Sequence, residues 1–278
     1  MLTHGFVLDE KGFKMSKSLG NVVDPRLVIE GGKDDKADPA FGADVLRLWV
    51  SSVDYTSDVL IGGGVLRQLS ESYRKLRGTL RFLVGNLFDF EPARDAVPFA
   101  SLPGVDRFVL QRLGALMDEV EAGYGGYSFS RAYGALNAFT VSFLSNFYLD
   151  TAKARRLLSA RPQPARAAAR SAPCSAPRRP GLASVLSVRP IRAVRSQDRL
   201  YIRAEGSASR RACQTVLAAV LARMQAALAP ILPHMAEDVF QATPYGYPPA
   251  ESVFQAGWPA TPSDWRSMPQ ARPGFGFF

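Results

Sequence analysis

The sequence predicts a mainly α protein, in which a short glycine-punctuated N-terminal segment leads into a helical bundle. Three observations carry that prediction. Beyond residue 64, apolar side chains return in steps of three and four, the period of one helix face. Prolines and glycines mark the ends of these stretches. The connections between them are short, so that successive helices pack side by side. At 278 residues and 47% apolar content, the chain is long enough to bury a sizeable core in one or two domains.

The first helix is expected to open at Asp24, whose carboxylate caps free amides. Pro25 fills its first position, and it runs to about Glu30. Gly31, Gly32 and the charged run from Lys33 to Asp38 read as a loop, and Gly42-Ala43-Asp44 opens a second helix through Val50. After Gly62-Gly63-Gly64, the stripe Val65, Leu69, Tyr73, Leu76, Leu80, Leu83 and Leu87 predicts a long helix over about 65–88. Pro92, Pro98 and Pro103 mark the connection to a helix that buries Val105, Val109, Leu113, Leu116 and Val120 and ends near Gly123. The next presents an aromatic-rich face of Phe129, Tyr133, Leu136, Phe143 and Phe147. A further helix, from about Ser209 to Ala229, turns Cys213, Leu217, Val220, Met224 and Leu228 inward. Pro230 and Pro233 then redirect the chain into a short helix holding His234 to Phe240.

The net charge of +9 is concentrated in one place. Between Ala154 and Gln197 stand ten arginines, no lysine and no acid; removing those ten from the 34 basic residues leaves 24 against 25 acidic ones. Alanine, arginine, proline and serine fill 32 of these 44 positions. Such a composition buries too little apolar surface to offset the entropy of ordering, so residues 154–197 read as a disordered insert. The alternative is a basic RNA-binding arm. The most apolar helix, from Val216 to Leu232, is interrupted by Arg223, Gln225 and Pro230, which argues against a membrane span. The first twenty residues hold Asp9, Glu10, Lys11, Lys14 and Lys17 and no apolar core of a signal peptide. Cys174 and Cys213 are too few for a zinc site or a disulfide framework.

The chemistry is concentrated in Lys14-Met15-Ser16-Lys17-Ser18, followed by Leu19-Gly20-Asn21-Val22-Val23-Asp24-Pro25. Two ammonium groups three residues apart, with hydroxyls between and after them, make a strip of donors suited to a polyphosphate. When pyrophosphate leaves a nucleotide, negative charge grows on the departing oxygens. A strip that closes over them stabilises that state more than the ground state. Lys17 takes the larger share and Lys14 a supporting one; the bland alternative is a solvated turn. On the long helix, Arg67, Arg74, Lys75, Arg77 and Arg81 lie off the apolar stripe. Arg74, Lys75, Arg77 and Arg81 fit the phosphates of an RNA stem, or else form an ordinary solvated face. His4 and His234, without a carboxylate partner in a recognisable pattern, read as structural residues, and Trp49, Phe139, Phe143 and Phe147 as core.

Gly5-Phe6-Val7-Leu8-Asp9 and the run from Gly12 to Pro25 resemble the second signature loop of class I aminoacyl-tRNA synthetases of the isoleucyl, valyl, leucyl and methionyl group. Gly42-Ala43-Asp44-Val45-Leu46-Arg47-Leu48-Trp49 resembles the helix that follows the loop there. His4 to Asp9, Asp54-Tyr55-Thr56-Ser57-Asp58-Val59, Phe147-Tyr148-Leu149-Asp150 and Gln214-Thr215-Val216-Leu217 narrow the resemblance to the isoleucyl enzymes.

The resemblance implies a C-terminal fragment of an isoleucine–tRNA ligase. Residues 1–61 would be the end of a Rossmann-type catalytic domain with its signature loop and stem-contact region. Residues 62–153 and 198–242 would be an anticodon-binding helical bundle, interrupted by the 154–197 insert, and 243–278 a tail in which Phe254, Trp258 and Pro259 close the bundle. It implies ATP, with Mg2+ accompanying the nucleotide, bound at Lys14, Met15, Ser16, Lys17 and Ser18, with Lys14 and Lys17 catalytic. It also implies isoleucine and tRNA-Ile as substrates, no zinc site in this chain, a monomer, and an organellar setting (chloroplast or mitochondrion), with bacterial cytoplasm second. The first signature and amino-acid pocket that the family carries upstream are missing, so the fragment is expected to be inactive alone. The competing class is a stand-alone tRNA-binding module without catalysis.

Overall fold

The computed structural model describes residues 2–34, 38–153, 200, 206–244 and 250–266. The expected insert over 154–197 and the end of the tail lie outside them. In chain order the elements are β1 (Val7–Leu8), α1 (Pro25–Glu30), α2 (Ala43–Ser52), β2 (Val59–Leu60), α3 (Gly63–Gly85), α4 (Pro92–Asp95), α5 (Gly104–Gly125), α6 (Phe129–Ala138), a π-helical run (Phe139–Leu149), α7 (Asp150–Lys153), α8 (Ala208–Leu228) and α9 (Pro233–Gln241). No helix among the described residues is long and apolar enough to cross a membrane.

The N-terminal segment is built around a two-stranded parallel pair, with Val7 opposite Val59 and Leu8 opposite Leu60. Gly5 makes the pairing possible. Its N–H donates to the Tyr55 carbonyl at 2.9 Å, and a Cβ there would stand 2.3 Å from the Ser57 carbonyl carbon, so only glycine lets the two backbones pass. α1 starts as its residues dictate: Asp24 accepts from the Arg26 N–H at 2.8 Å and Pro25 occupies the first position. A small core of Val28, Trp49, Ile61 and Leu66, with Met15 and Phe41 packed against it, holds this segment to the start of α3.

The main core lies among α3, α5, α6, the π-helical run and α8. α3 turns Leu66, Leu76, Leu80 and Leu83 inward. Its first turn buries Leu66 rather than Val65, because that turn serves the smaller core. α8 runs through the middle and is buried nearly all round, with Arg210, Gln214, Arg223 and Gln225 inside besides its apolar residues. Each of these four polar residues makes at least one polar contact. Arg210 Nη2 reaches both Asp89 oxygens at 3.1 Å, Gln214 Nε2 donates to Asp89 at 2.7 Å, and the Arg223 guanidinium lies 4.2 Å over the Trp265 ring.

The helix expected through Phe147 changes character midway. From Phe139 to Leu149 it is π-helical, and wider turns move the inward positions to steps of four: Leu136, Thr140, Leu144 and Tyr148 are all buried. Phe143 and Phe147, expected in the core, are therefore only half-buried at its edge, while Phe139 is buried as expected. The closing segment also differs. Val253 and Trp265 are the buried residues there, whereas Phe254 and Trp258 stay exposed and Trp258 sets its edge against Tyr124.

Candidate functional site

Lys14 to Ser18 form the exposed crest of a loop whose base is tied at several points. Lys14 pairs with Leu8 as an isolated antiparallel bridge. Asp9 closes the preceding turn, its N–H donating to the Phe13 carbonyl at 3.0 Å while its carboxylate accepts from the N–H groups of Phe13 and Lys11. Met15 points inward against the smaller core. Lys17, Ser18 and Leu19 make one 3-10 turn ended by Gly20 at φ 66°, a left-handed conformation suited to glycine. The Ser16 and Ser18 hydroxyls lie 2.8 Å apart.

Asn21 ties the two ends of the crest together. Its Oδ1 accepts from the Ser16 N–H at 2.8 Å, and its Nδ2 donates to Asp9 Oδ2 at 3.0 Å and to the Lys14 carbonyl at 3.3 Å. The hydrogen bond from Asn21, and after it that from Phe13, hold the Asp9 carboxyl below the ordinary carboxylate range. Glu10 extends the tie to the bundle by accepting from the Gly64 N–H at the start of α3. Among the described residues neither lysine is engaged in an ion pair, and both are exposed. The crest thus offers two exposed ammonium groups on a backbone fixed from below, that of Lys14 lying 6.0 Å over the Phe6 ring. Neither Asn21 nor Glu10 stood out in the sequence, because a side chain that closes a loop leaves no period; the Gly-Asn pair directly after the turn was the available signal.

The second candidate surface lies along α3. Arg67, Arg74, Lys75, Arg77 and Arg81 are all exposed. At seven-residue spacing Arg67, Arg74 and Arg81 fall on nearly one line of the helix, each about 10 Å from the next. Arg74 shares its charge with Glu71 at 2.8 Å, a pair exposed on both sides and so weakly held. The other four have no ion pair among the described residues. Arg67, at the start of this stripe, lines a cleft together with Val22, Val23 and Asp24, which follow the crest in sequence.

The histidines correct one expectation. His234 does have a carboxylate partner: its Nδ1 lies 2.7 Å from Asp44 Oδ1, across 190 positions of chain. That pair joins α2 to the start of α9. His4 Nδ1 contacts the Gly5 carbonyl at 2.8 Å.

With this geometry in place, comparison with known proteins is direct. Residues 1–62 match the family model of tRNA synthetases class I (I, L, M and V), and residues 106–171 and 193–272 match the anticodon-binding domain of tRNA ligase. The isoleucine–tRNA ligase of Synechococcus sp. (strain CC9311) is 48% identical over 266 residues, covering 96% of this chain and 23% of the relative. That of Gloeobacter violaceus (strain ATCC 29082 / PCC 7421) is 48% identical over 265 residues, covering 95% and 22%. The chain thus spans less than a quarter of the length of these relatives. Among solved structures, LeuRS of Agrobacterium radiobacter K84 in its ternary complex with tRNA and LeuAMS aligns with a TM-score of 0.58 at 18% identity, over 94% of this chain and 24% of that one, which shows a shared fold. From the loop at one end to the anticodon-binding domain over most of the remainder, the chain belongs to the class I tRNA synthetases, on their isoleucine–tRNA ligase branch.

Proposed function

We propose that this chain supplies the second phosphate-binding loop and the tRNA-stem surface of an enzyme that activates isoleucine with ATP and transfers it to tRNA-Ile. The observation that carries the reading is the crest itself: Lys14 and Lys17 stand exposed and outside any ion pair among the described residues, on a backbone held from beneath by Asn21 and Asp9. Two such ammonium groups fit a nucleotide's phosphates, and Mg2+ arriving with ATP would neutralise part of the same charge. Lys17, on the 3-10 turn, meets the charge that grows as pyrophosphate departs. Lys14 supports it, and the Ser16 and Ser18 hydroxyls are donors to phosphate oxygens. The amino-acid pocket and the rest of the clamp would come from the part of the relatives that this chain does not span. The exposed Phe6, Val7 and Leu60 on the parallel pair offer that part a surface, since parallel sheets are covered on both faces in folded proteins. The enzyme works as a monomer in this reading, in a chloroplast or mitochondrion, with bacterial cytoplasm as the alternative.

The test is isoleucine-dependent ATP–pyrophosphate exchange. The chain alone should show none, and adding a polypeptide that covers the upstream part of the relatives should restore it. Lys17→Ala should then lower the restored rate by about 10²–10³-fold, the usual effect of removing one donor to a developing anion. Restored exchange indifferent to Lys17 would remove the role given to the crest. A chain that bound tRNA but never supported exchange would be a tRNA-binding module instead.

A further inference from the structure

α2 is fastened to the turn between α8 and α9 by two side chains one helical turn apart. Asp44, buried at 6% exposure, accepts from the Met235 N–H at 2.9 Å and the His234 N–H at 3.4 Å, and from the His234 ring at 2.7 Å. Leu232, the residue before α9, provides no side-chain cap of its own, so the cap comes from Asp44, about 190 residues earlier. Arg47 takes the other side of the same turn: its Nε donates to the Ile231 carbonyl at 3.1 Å and its Nη2 to the Pro230 carbonyl at 2.7 Å. One helix face therefore satisfies both the carbonyls leaving α8 and the amides entering α9. Between the two residues' neighbours, Leu48 enters the main core and Trp49 the smaller one.

We infer that Asp44 and Arg47 are positioning residues that set the angle between the loop-bearing segment and the bundle, and so aim a bundle-bound tRNA at the active site. The inference rests on the reading under Proposed function. The connection from crest to turn is short: the crest leads into α1, α1 is tied to the loop before α2 by the Phe41 N–H on the Val28 carbonyl at 2.9 Å, and α2 carries the two side chains. A tRNA held along α3 magnifies any error at this joint. Rotation by about 5° over the ~35 Å length of α3 moves its far end by roughly 3 Å. Misplacement on the order of 1 Å already costs a reaction about 100-fold. Activation of isoleucine needs no tRNA and is insensitive to this angle; transfer to tRNA depends on it.

The two half-reactions separate the possibilities in the enzyme assembled from this chain and the upstream part. Asp44→Asn keeps the size but sets an amide donor against the α9 amides, and Arg47→Met keeps the stem but removes both donors. Each should leave isoleucine-dependent exchange within about 2-fold while lowering the tRNA-charging kcat by about 10-fold or more, with KM for tRNA little changed. Arg47→Lys, which keeps the charge but not the fork, should fall between Arg47→Met and the native enzyme. Exchange and charging falling in parallel would reduce the pair to a stability feature and overturn the inference; so would charging that stays unchanged. If the native pair shows no Lys17-dependent exchange, the proposed function itself fails, and the inference with it.

Discussion

Asn21 shows how one neutral side chain can prepare two charged ones. Its carboxamide uses both ends, accepting at Ser16 and donating to Asp9 and Lys14, so the crest is closed without spending either lysine. The Asn21 hydrogen bond, and after it that from Phe13, hold the Asp9 carboxyl below the ordinary carboxylate range. A carboxyl whose folded pKa is lowered contributes stability that is present above its unfolded value and lost as pH falls through the folded one; the tie should therefore loosen only in acid, below the ordinary carboxylate range. Asn21→Ala should move the Asp9 midpoint up towards the ordinary carboxylate range in an NMR titration and speed hydrogen exchange at the Ser16 amide. A midpoint that stayed in place would show that Asn21 does not hold Asp9. At this scale the lysines were legible in the sequence, because charge and spacing state their own chemistry. Asn21, Glu10 and the Asp44–His234 contact were not, since each acts on a partner that only folding brings near.

Among the elements, α8 and the π-helical run depart most from simple periodicity. The inward face of α8 was read correctly at Cys213, Leu217, Val220, Met224 and Leu228, all buried. Its polar residues were not placed, because a helix surrounded on all sides has no solvent face to which they can be assigned. Asp89, just past the end of α3, organises them. Burial raises its pKa, but hydrogen bonds from Gln214 and Arg210 and the charges of Arg210 and Arg211 outweigh that and leave it lowered. Asp89→Ala would leave the largely buried Arg210 guanidinium without its carboxylate, while Arg211 keeps Asp95 at 3.5 Å, and should cost about 3 kcal/mol or more in urea unfolding. In the π-helical run, Tyr148 is fully buried and donates to Asp106 at 3.0 Å. Tyr148→Phe should cost about 1–3 kcal/mol by the same measurement. A loss within experimental error would mean that the hydroxyl is dispensable to Asp106. The wider turn explains why Tyr148 rather than Phe147 holds that place: i→i+5 bonding rotates the register that a 3.6-residue period projects.

For the molecule as a whole, the arrangement separates two kinds of positive charge. In the proposed function, the two lysines of the crest would serve a compact polyphosphate, and the line of arginines on α3 a helical phosphate backbone. Replacing Arg74, Lys75, Arg77 and Arg81 with alanine should weaken tRNA binding and flatten the dependence of log K on log salt by about 3, if each meets one phosphate. An unchanged slope would return this face to ordinary solvated surface. The sequence by itself determined the mainly helical class, the helix starts at Asp24 and Gly42, most of the buried stripes and the Lys14–Ser18 crest, because propensity, period and local charge act over a few neighbouring residues; Val105, expected on the buried face of α5, is instead exposed in its first turn. Only the tertiary structure decided which side chains hold the crest from below, how α2 grips the α8–α9 turn, and where the π-helical run turns its aromatic residues. Those outcomes depend on hydrogen bonds and packing between residues up to about 190 positions apart, and nothing in a local pattern encodes such a distance.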